Sequence, residues 1–370
     1  MDSGQGPQGE ALAGAEPGGH DATQQSEQMA ILRLVESRQV SVEEAVHLLQ
    51  AVAPLRGHAG GRGAGYRFEQ ELSGQIAGEG LAELALQGTN GSVTLRGCDG
   101  AEARLVVRIH VRGAASEQEA RSVADCVTAS IAGRRLEVRC GPVQRSGPRG
   151  LAEAVGGLAV AVEASLPRAA TWGGEVATSN GAVEVEAVTL RGLRIASSNG
   201  AVRLRGCSGQ DVGVATSNGA VETDGTEVDG LRVTTSNGAL RLRGHSGDGL
   251  AATTSNAAVE AEGLRGRVEI RTSNSHILLG LAQASAEVQA STSNAGIEVR
   301  LPQGLPVDID AATSHGSFET AALGPNGPQS GDKDRGRLAW RSPGWEGAEA
   351  RARLVLRTSN GGVRFVTPRP

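Results

Sequence analysis

From about residue 170 onward the chain alternates apolar and polar positions in short runs, each broken at a small polar turn. The segment LRVTTSNGALRLRG is typical: apolar-x-Thr-Ser-Asn-Gly-x-apolar-x-apolar, two period-two runs on either side of Asn-Gly. A period of two places successive side chains on opposite faces of a strand. The turn recurs at Asn180, Asn199, Asn218, Asn237 and Asn256, each 19 residues after the last, with variants at Asn274, Asn294, His315 and Asn360. A fixed internal period of this size marks a solenoid, in which each repeat stacks on its neighbours. The pattern predicts a mainly β protein, a parallel β-solenoid of about 19-residue rungs, with positive φ expected at each Asn-Gly.

Stacking in register sets each turn asparagine about 4.8 Å above its counterpart, so the amides can form a ladder, each donating to one neighbour and accepting from the other. Asn180, Asn199, Asn218, Asn237, Asn256, Asn274, Asn294 and Asn360 are its expected members. Outward positions after the turn carry Glu184 and Glu186, then Arg203 and Arg205, Glu222 and Asp224, Arg241 and Arg243, Glu260 and Glu262. The sign alternates rung by rung, which favours this register and penalises slips that pair like with like. Leu-Pro occurs twelve residues before a repeat threonine at both Leu166/Thr178 and Leu301/Thr313, and each instance reads as a strand, a turn and the start of a rung.

Before the array, residues 1–28 lack a hydrophobic period and read as a disordered leader, with Met29 a candidate start. Residues 29–53 read as a helical hairpin with Ile31, Leu34 and Val35 on one face and Leu49 and Val52 on another, and Ser41 with Glu44 as a capping box. Two such short helices leave an apolar face in need of a partner, either another protein, a second copy or the rest of the chain. Residues 54–66 read as a Gly-rich linker, and 67–370 as the solenoid. Within it, helical periodicity near 115–132 predicts a helical insertion capping the array, and 319–350 reads as a polar loop insertion carrying Trp340 and Trp345. That loop is a candidate partner-binding element or a lid over the last rung.

Composition narrows the chemistry. Aromatics are 2% of 370 residues while glycine supplies 54, which suits a narrow aliphatic interior better than a conventional core. A net charge of −5 with interspersed signs offers no field for nucleic acid. Cys98, Cys126, Cys140 and Cys207 have neither zinc nor disulfide spacing, and read as free thiols. Cys207 and His245 occupy equivalent places two periods apart, roughly 10 Å when stacked, too far to share a metal. No catalytic motif is found, so no catalytic, cofactor or metal residue is assigned. Without a signal peptide or an apolar run long enough to span a bilayer, the default location is cytoplasmic, with peripheral envelope association as the alternative.

The repeated T-S-N-G turns, the Leu-Pro strands and the closing LVLRTSNGGVRFV resemble the bacterial β-strand-repeat family of unknown function labelled "putative adhesin", over about 69–366. The hairpin ILRLVESRQVSVEEAVHLLQAV looks like the short helical domain preceding such repeats in LiaX-like and YvlB-like envelope-stress proteins. The resemblance implies a non-catalytic protein that binds at or near the cell envelope and takes part in stress sensing or regulation. A cell-surface adhesin is the second reading. A β-helical carbohydrate-active enzyme is the third, disfavoured by the few aromatics available to line a sugar cleft.

Overall fold

The computed structural model describes residues 56–59, 65–76, 79–141, 157–324, 327–328, 333–334 and 336–367, the pieces 56–59 and 333–334 by backbone alone. The expected leader 1–28 and hairpin 29–53 lie outside the described residues. Among the described residues, 28 strands join one continuous sheet that coils on itself as a β-solenoid.

The regular rung has three sides. From the Asn180 corner the chain runs through Val183–Glu186, turns at Ala187, and passes along Thr189–Ser197 with a bend at Gly192 before reaching Asn199. In later rungs the middle side separates as the three-residue strands Ser208–Gln210 and Glu227–Asp229. All three sides pair in parallel at an offset of 19: Val183, Val202, Val221 and Leu240 stack on the first side, Thr189, Ser208 and Glu227 on the second, Ile195, Val214 and Val233 on the third. This short middle side closes the two strands visible in the repeat pattern into a triangle.

Left-handed backbone falls at the other two corners, as at Ala187 and Gly206 (φ 54 each) and at Gly192 (φ 67) and Gly230 (φ 71). The positive φ expected at Asn-Gly is not found in the regular rungs; of the turn asparagines named above, none has it, and Asn90 (φ 54) is the exception from an earlier copy. The glycine is demanded there by volume. A Cβ on Gly200 would sit 1.7 Å from the carbonyl oxygen of Gly181, and one on Gly238 would sit 1.8 Å from that of Gly219. Turns stacked at the strand spacing leave no room for a side chain on that side.

Inward positions form aliphatic columns. Val183, Val202, Val221, Leu240, Val259, Ile277, Ile297 and Val363 are each at most 1% exposed. Burying one such side chain contributes about 1.5–3 kcal/mol, and a column of them needs no ring to fill the narrow interior. Phe68, Trp172 and Phe365 add buried rings toward the ends of the array, and Trp172, fully buried near the first rungs, donates from Nε1 to the Pro167 carbonyl at 3.1 Å.

Both ends of the stack depart from chain order. Leu81–Gln87 lies between Arg135–Cys140 and Thr171–Thr178, and Asn90–Cys98 lies between Leu158–Pro167 and Val183–Glu186. The array then ends in antiparallel strands, Glu102–Val111 on Leu158–Pro167 and Tyr66–Gln75 outside that. Arg56–Ala59, expected to be linker, adds antiparallel to Tyr66–Glu69 and occupies an edge that would otherwise offer unpaired backbone groups. The expected helix near 115–132 is confined to Glu117–Ala124, N-capped by Ser116, with Ala120, Val123 and Ala124 buried. Val127–Ala132 is instead a strand in a hairpin with Arg135–Cys140. The spacing of Val123, Val127 and Ile131 by four fits a helical face and a strand face equally, and β-branched residues in the second half settle it. At the other end, part of the expected loop 319–350 is strand: Arg337–Arg341 pairs antiparallel with Val307–Thr313 and buries Leu338 at the sheet edge.

Gly200→Ala is expected to destabilise the protein by about 2 kcal/mol or more through overpacking, read as a lowered urea midpoint. Gly213→Ala, where an added Cβ meets nothing within 4 Å, is expected to leave the midpoint near that of the parent.

Candidate interaction surface

The exposed corner is a chain of amides. Nδ2 of each asparagine donates to Oδ1 of the one before it through Asn180, Asn199, Asn218, Asn237, Asn256, Asn274, Asn294 and Asn360, at 2.6 to 2.9 Å. Asn180 makes the same bond to Asn90, whose own Nδ2 donates to the Leu158 carbonyl at 2.9 Å. Asn90 is therefore the first member of the ladder, although 90 residues separate it from the next in sequence. Behind the ladder the repeat hydroxyls are buried. Thr235 Oγ1 accepts from the Gly238 N–H at 3.1 Å and donates to the Gly219 carbonyl at 3.4 Å, tying its own turn to the preceding one.

On the first side, Arg203 bridges Glu184 (2.8 Å) and Glu222 (3.2 Å), and Arg241 bridges Glu222 (3.1 Å) and Glu260 (3.7 Å). Hydrogen bonds that Arg203 donates to Glu184 and then to Glu222 raise its pKa above the ordinary value. Partial burial pushes the Glu222 carboxyl up, but the hydrogen bonds and charges of Arg203 and Arg241 outweigh it and hold the group below the usual carboxylate range. Exposed pairs of this sort contribute about 0–1 kcal/mol each, so their main effect is on register.

The alternation breaks at Leu278 and Gly280, which stand in the columns where arginines would follow Glu260 and Glu262. Arg300 spans the gap left by Gly280 and reaches Glu262 at 3.0 Å, two rungs away, as well as Glu298 at 3.5 Å. The break opens a groove of 480 Å³ lined by His276, Leu278, Glu298, Arg300, Glu319 and Arg364. A second groove, of 610 Å³ near the other end, is lined by Leu81, Glu83, Arg134, Arg135, Arg191 and Asp211, with Leu81 58% exposed. Neither groove was legible beforehand, because each depends on which residues of distant rungs share a face.

Of the residues expected to bind a partner, Ile31, Leu34, Val35, Leu49 and Val52 lie outside the described residues. Trp340 is half-buried on the edge strand opposite Ile309. Trp345 is half-buried between two guanidinium groups, those of Arg341 (5.8 Å from the ring centroid) and Arg351 (5.3 Å). Such cation–π stacking holds the indole within its own loop, and Arg341 is further fixed by Asp308 and Glu346.

A polar column also runs through the core. Cys207, Thr226 and His245 succeed one another in adjacent rungs, each at most 1% exposed, with Thr226 Oγ1 and His245 Nδ1 3.2 Å apart. Burial lowers the His245 pKa against the opposing influence of the Gly247 backbone and Asp229, and burial pushes the Cys207 thiol up. Among the described residues no cluster of His, Cys, Asp and Glu could hold a metal ion, and no helix is long and apolar enough to cross a membrane.

These features define a capped, three-sided parallel β-solenoid whose surface is organised in amide and charge ladders. The family model described as Toastrack DUF4097 matches residues 83–339, and the chain belongs to that family. No curated protein matches it. Among solved structures it is similar to a "putative cell adhesion protein" of Clostridium sporogenes, at 10% identity over 81% of this chain and 100% of that one (TM-score 0.22). It is similar also to a "putative adhesin" of Bacteroides fragilis, at 10% identity over 80% and 97% (TM-score 0.35). A third is a "putative lipid binding protein" of Parabacteroides distasonis, at 11% identity over 80% and 96% (TM-score 0.30).

Asn218→Ala removes one ladder bond on each side and is expected to cost about 1–2 kcal/mol, while Asn360→Ala, which removes the single bond to Asn294, should cost about half of that in the same urea titration. His245 stabilises the fold while neutral. Because its folded pKa is depressed, that contribution is intact above the ordinary histidine value of about 6.5 and is lost as pH falls from there toward the folded value. The thermal midpoint should therefore fall less between about pH 7.5 and about pH 5 in His245→Thr than in the parent.

Proposed function

We propose that the chain is a non-catalytic binding scaffold: the solenoid presents a rigid surface, and residues 29–53 recruit a protein partner or a second copy. The observation that carries this reading is how the charged surface is used. Carboxylates of the outward columns are engaged by arginine, Glu222 by Arg203 and Arg241, Glu298 by Arg300, and Glu319 by Arg364. General acid–base work asks for a group whose pKa is tuned toward the operating pH, whereas at Glu222, against the upward push of burial, the hydrogen bonds and charges of Arg203 and Arg241 favour the charged carboxylate. A surface whose polar groups are fixed by their neighbours is preorganised for recognition, since little side-chain freedom is lost on binding.

Toastrack membership and the resemblance to envelope-stress proteins support a site of action at the cell envelope, with the chain associated peripherally and its partner a component of a stress response. A cell-surface adhesin is the second reading, favoured by the two surface grooves described above; it requires export, and fractionation that found the protein in the cytosol alone would exclude it. Deleting 29–53 is expected to abolish partner capture, or to lower the oligomeric mass measured by light scattering, while the β-rich circular dichroism spectrum is kept. If neither partner capture nor mass changes, the hairpin is not the recruiting element.

A further inference from the structure

The last rungs do not stack in the order in which the chain makes them. Ala352–Thr358 lies between Ile277–Thr292 and Val307–Thr313, parallel to both, and Val363–Val366 lies between Ile297–Arg300 and Phe318–Glu319. The rung 307–319 follows the rung 286–300 after six residues, 301–306, yet the rung made last separates the two.

Charge accounts for the order. Across the three rungs the outward columns read Glu287, Arg353, Asp308 and Glu298, Arg364, Glu319. Without the middle rung, Glu287 would stack on Asp308 and Glu298 on Glu319, acid on acid at about 4.8 Å, an arrangement that destabilises a sheet. With it, Arg364 binds Glu319 through Nε (2.7 Å) and Nη2 (3.1 Å), and Arg357 Nη2 binds Asp310 Oδ2 (2.9 Å). The inward side chains Leu354, Leu356, Val363 and Phe365 are at most 3% exposed. Register is pinned by Asn360 donating to Asn294 (2.9 Å), by Thr358 donating to the Ala295 carbonyl (2.8 Å), and by Thr313 donating to that of Gly361 (2.8 Å). The gap between the two rungs is thus a strand-sized slot with an apolar floor and acidic walls, complementary to a basic T-S-N-G strand.

The occupant hangs on a tether. The preceding anchored strand ends at Arg341, and the ten residues 342–351 that follow span at most about 33 Å when extended, which sets the reach of the rung once the loop opens. We propose that the slot is a strand-binding site whose alternative occupant is the segment 352–366 of a second copy, so that two molecules exchange their last rungs. Exchange fills both slots with the strand contacts already described but opens the Trp345 loop, so it is opposed by the entropy of association and by loss of the Arg341 and Arg351 stacking, and favoured by concentration. The interface is separate from residues 29–53 and does not depend on the reading given to them.

The test uses two full-length chains, one carrying Ser293→Cys and the other Ser359→Cys, each with the four native cysteines changed to alanine. Asn360 N–H donates to the Ser293 carbonyl, so these positions adjoin across the slot at a spacing suited to a disulfide. Mixing the two chains under mild oxidation is expected to give an interchain disulfide whose yield rises with concentration; the charge complementarity is read separately, Arg364→Glu being expected to lower the urea midpoint of the parent chain more than Arg364→Ala because it sets three acids in one column. Absence of the interchain product at all concentrations, in a preparation whose circular dichroism matches the parent, overturns the exchange. A urea midpoint no lower for Arg364→Glu than for Arg364→Ala overturns the role given to charge. A yield unaffected by deleting 29–53 from both chains supports the slot as the interface, and loss of the product on that deletion overturns it.

Discussion

The structure depends on one constraint: rungs repeat at the strand spacing, so every side chain faces its own column rather than a varied neighbourhood. A column tolerates few residue types. Aliphatic side chains may stack on themselves without limit, and they fill the interior from Val183 to Val363. Amides may do so because each is donor and acceptor at once, which is why the exposed corner is asparagine from Asn90 to Asn360. Glycine is imposed where the stacked turns come too close, as at Gly200 and Gly238. Charges must alternate, as Glu184, Arg203, Glu222 and Arg241 do. Four features that look independent in the sequence are consequences of one geometry.

The same constraint makes the ends costly. A stack of identical rungs ends in open backbone and an uncovered core, and here both ends are closed by strands that leave chain order. At the start, the first turn copy slides between later segments and the edge is continued by antiparallel strands out to Arg56–Ala59. At the finish, the last rung separates two acidic ones, and Arg337–Arg341 covers the outermost strand. The departures from regularity, including the Leu278/Gly280 break, are where grooves and accessible arginines gather.

The sequence made the regular part of this legible. A period of 19 with alternating apolar positions leaves little choice of fold, and the charge alternation implies parallel, in-register stacking. Three things escaped. Positive φ was expected at Asn-Gly because that dipeptide usually marks such turns, whereas here the glycine answers to a carbonyl one rung away. The helix near 115–132 was overextended because a spacing of four satisfies both periods. The interleaved ends and the grooves were hidden because nothing local distinguishes a rung that stacks on its predecessor from one that stacks on a segment far along the chain; Glu298, Arg364 and Glu319 acquire meaning when they are seen in one column. The amide corner could be read in advance as a structural ladder, while the acidic slot and its basic strand could not.

Removal of whole rungs tests the columnar account most directly. Deleting 219–237 joins Asn218 to Gly238 and sets Arg203 against Arg241, whereas deleting 200–237 joins Asn199 to Gly238 and sets Glu184 against Arg241. Nearest-neighbour stacking with alternating charge predicts that both products fold and that the longer deletion has the higher thermal midpoint, despite losing twice as much of the array. Midpoints that fall in proportion to the length removed, or a chain that tolerates deletion of half a period as well as a whole one, would contradict it.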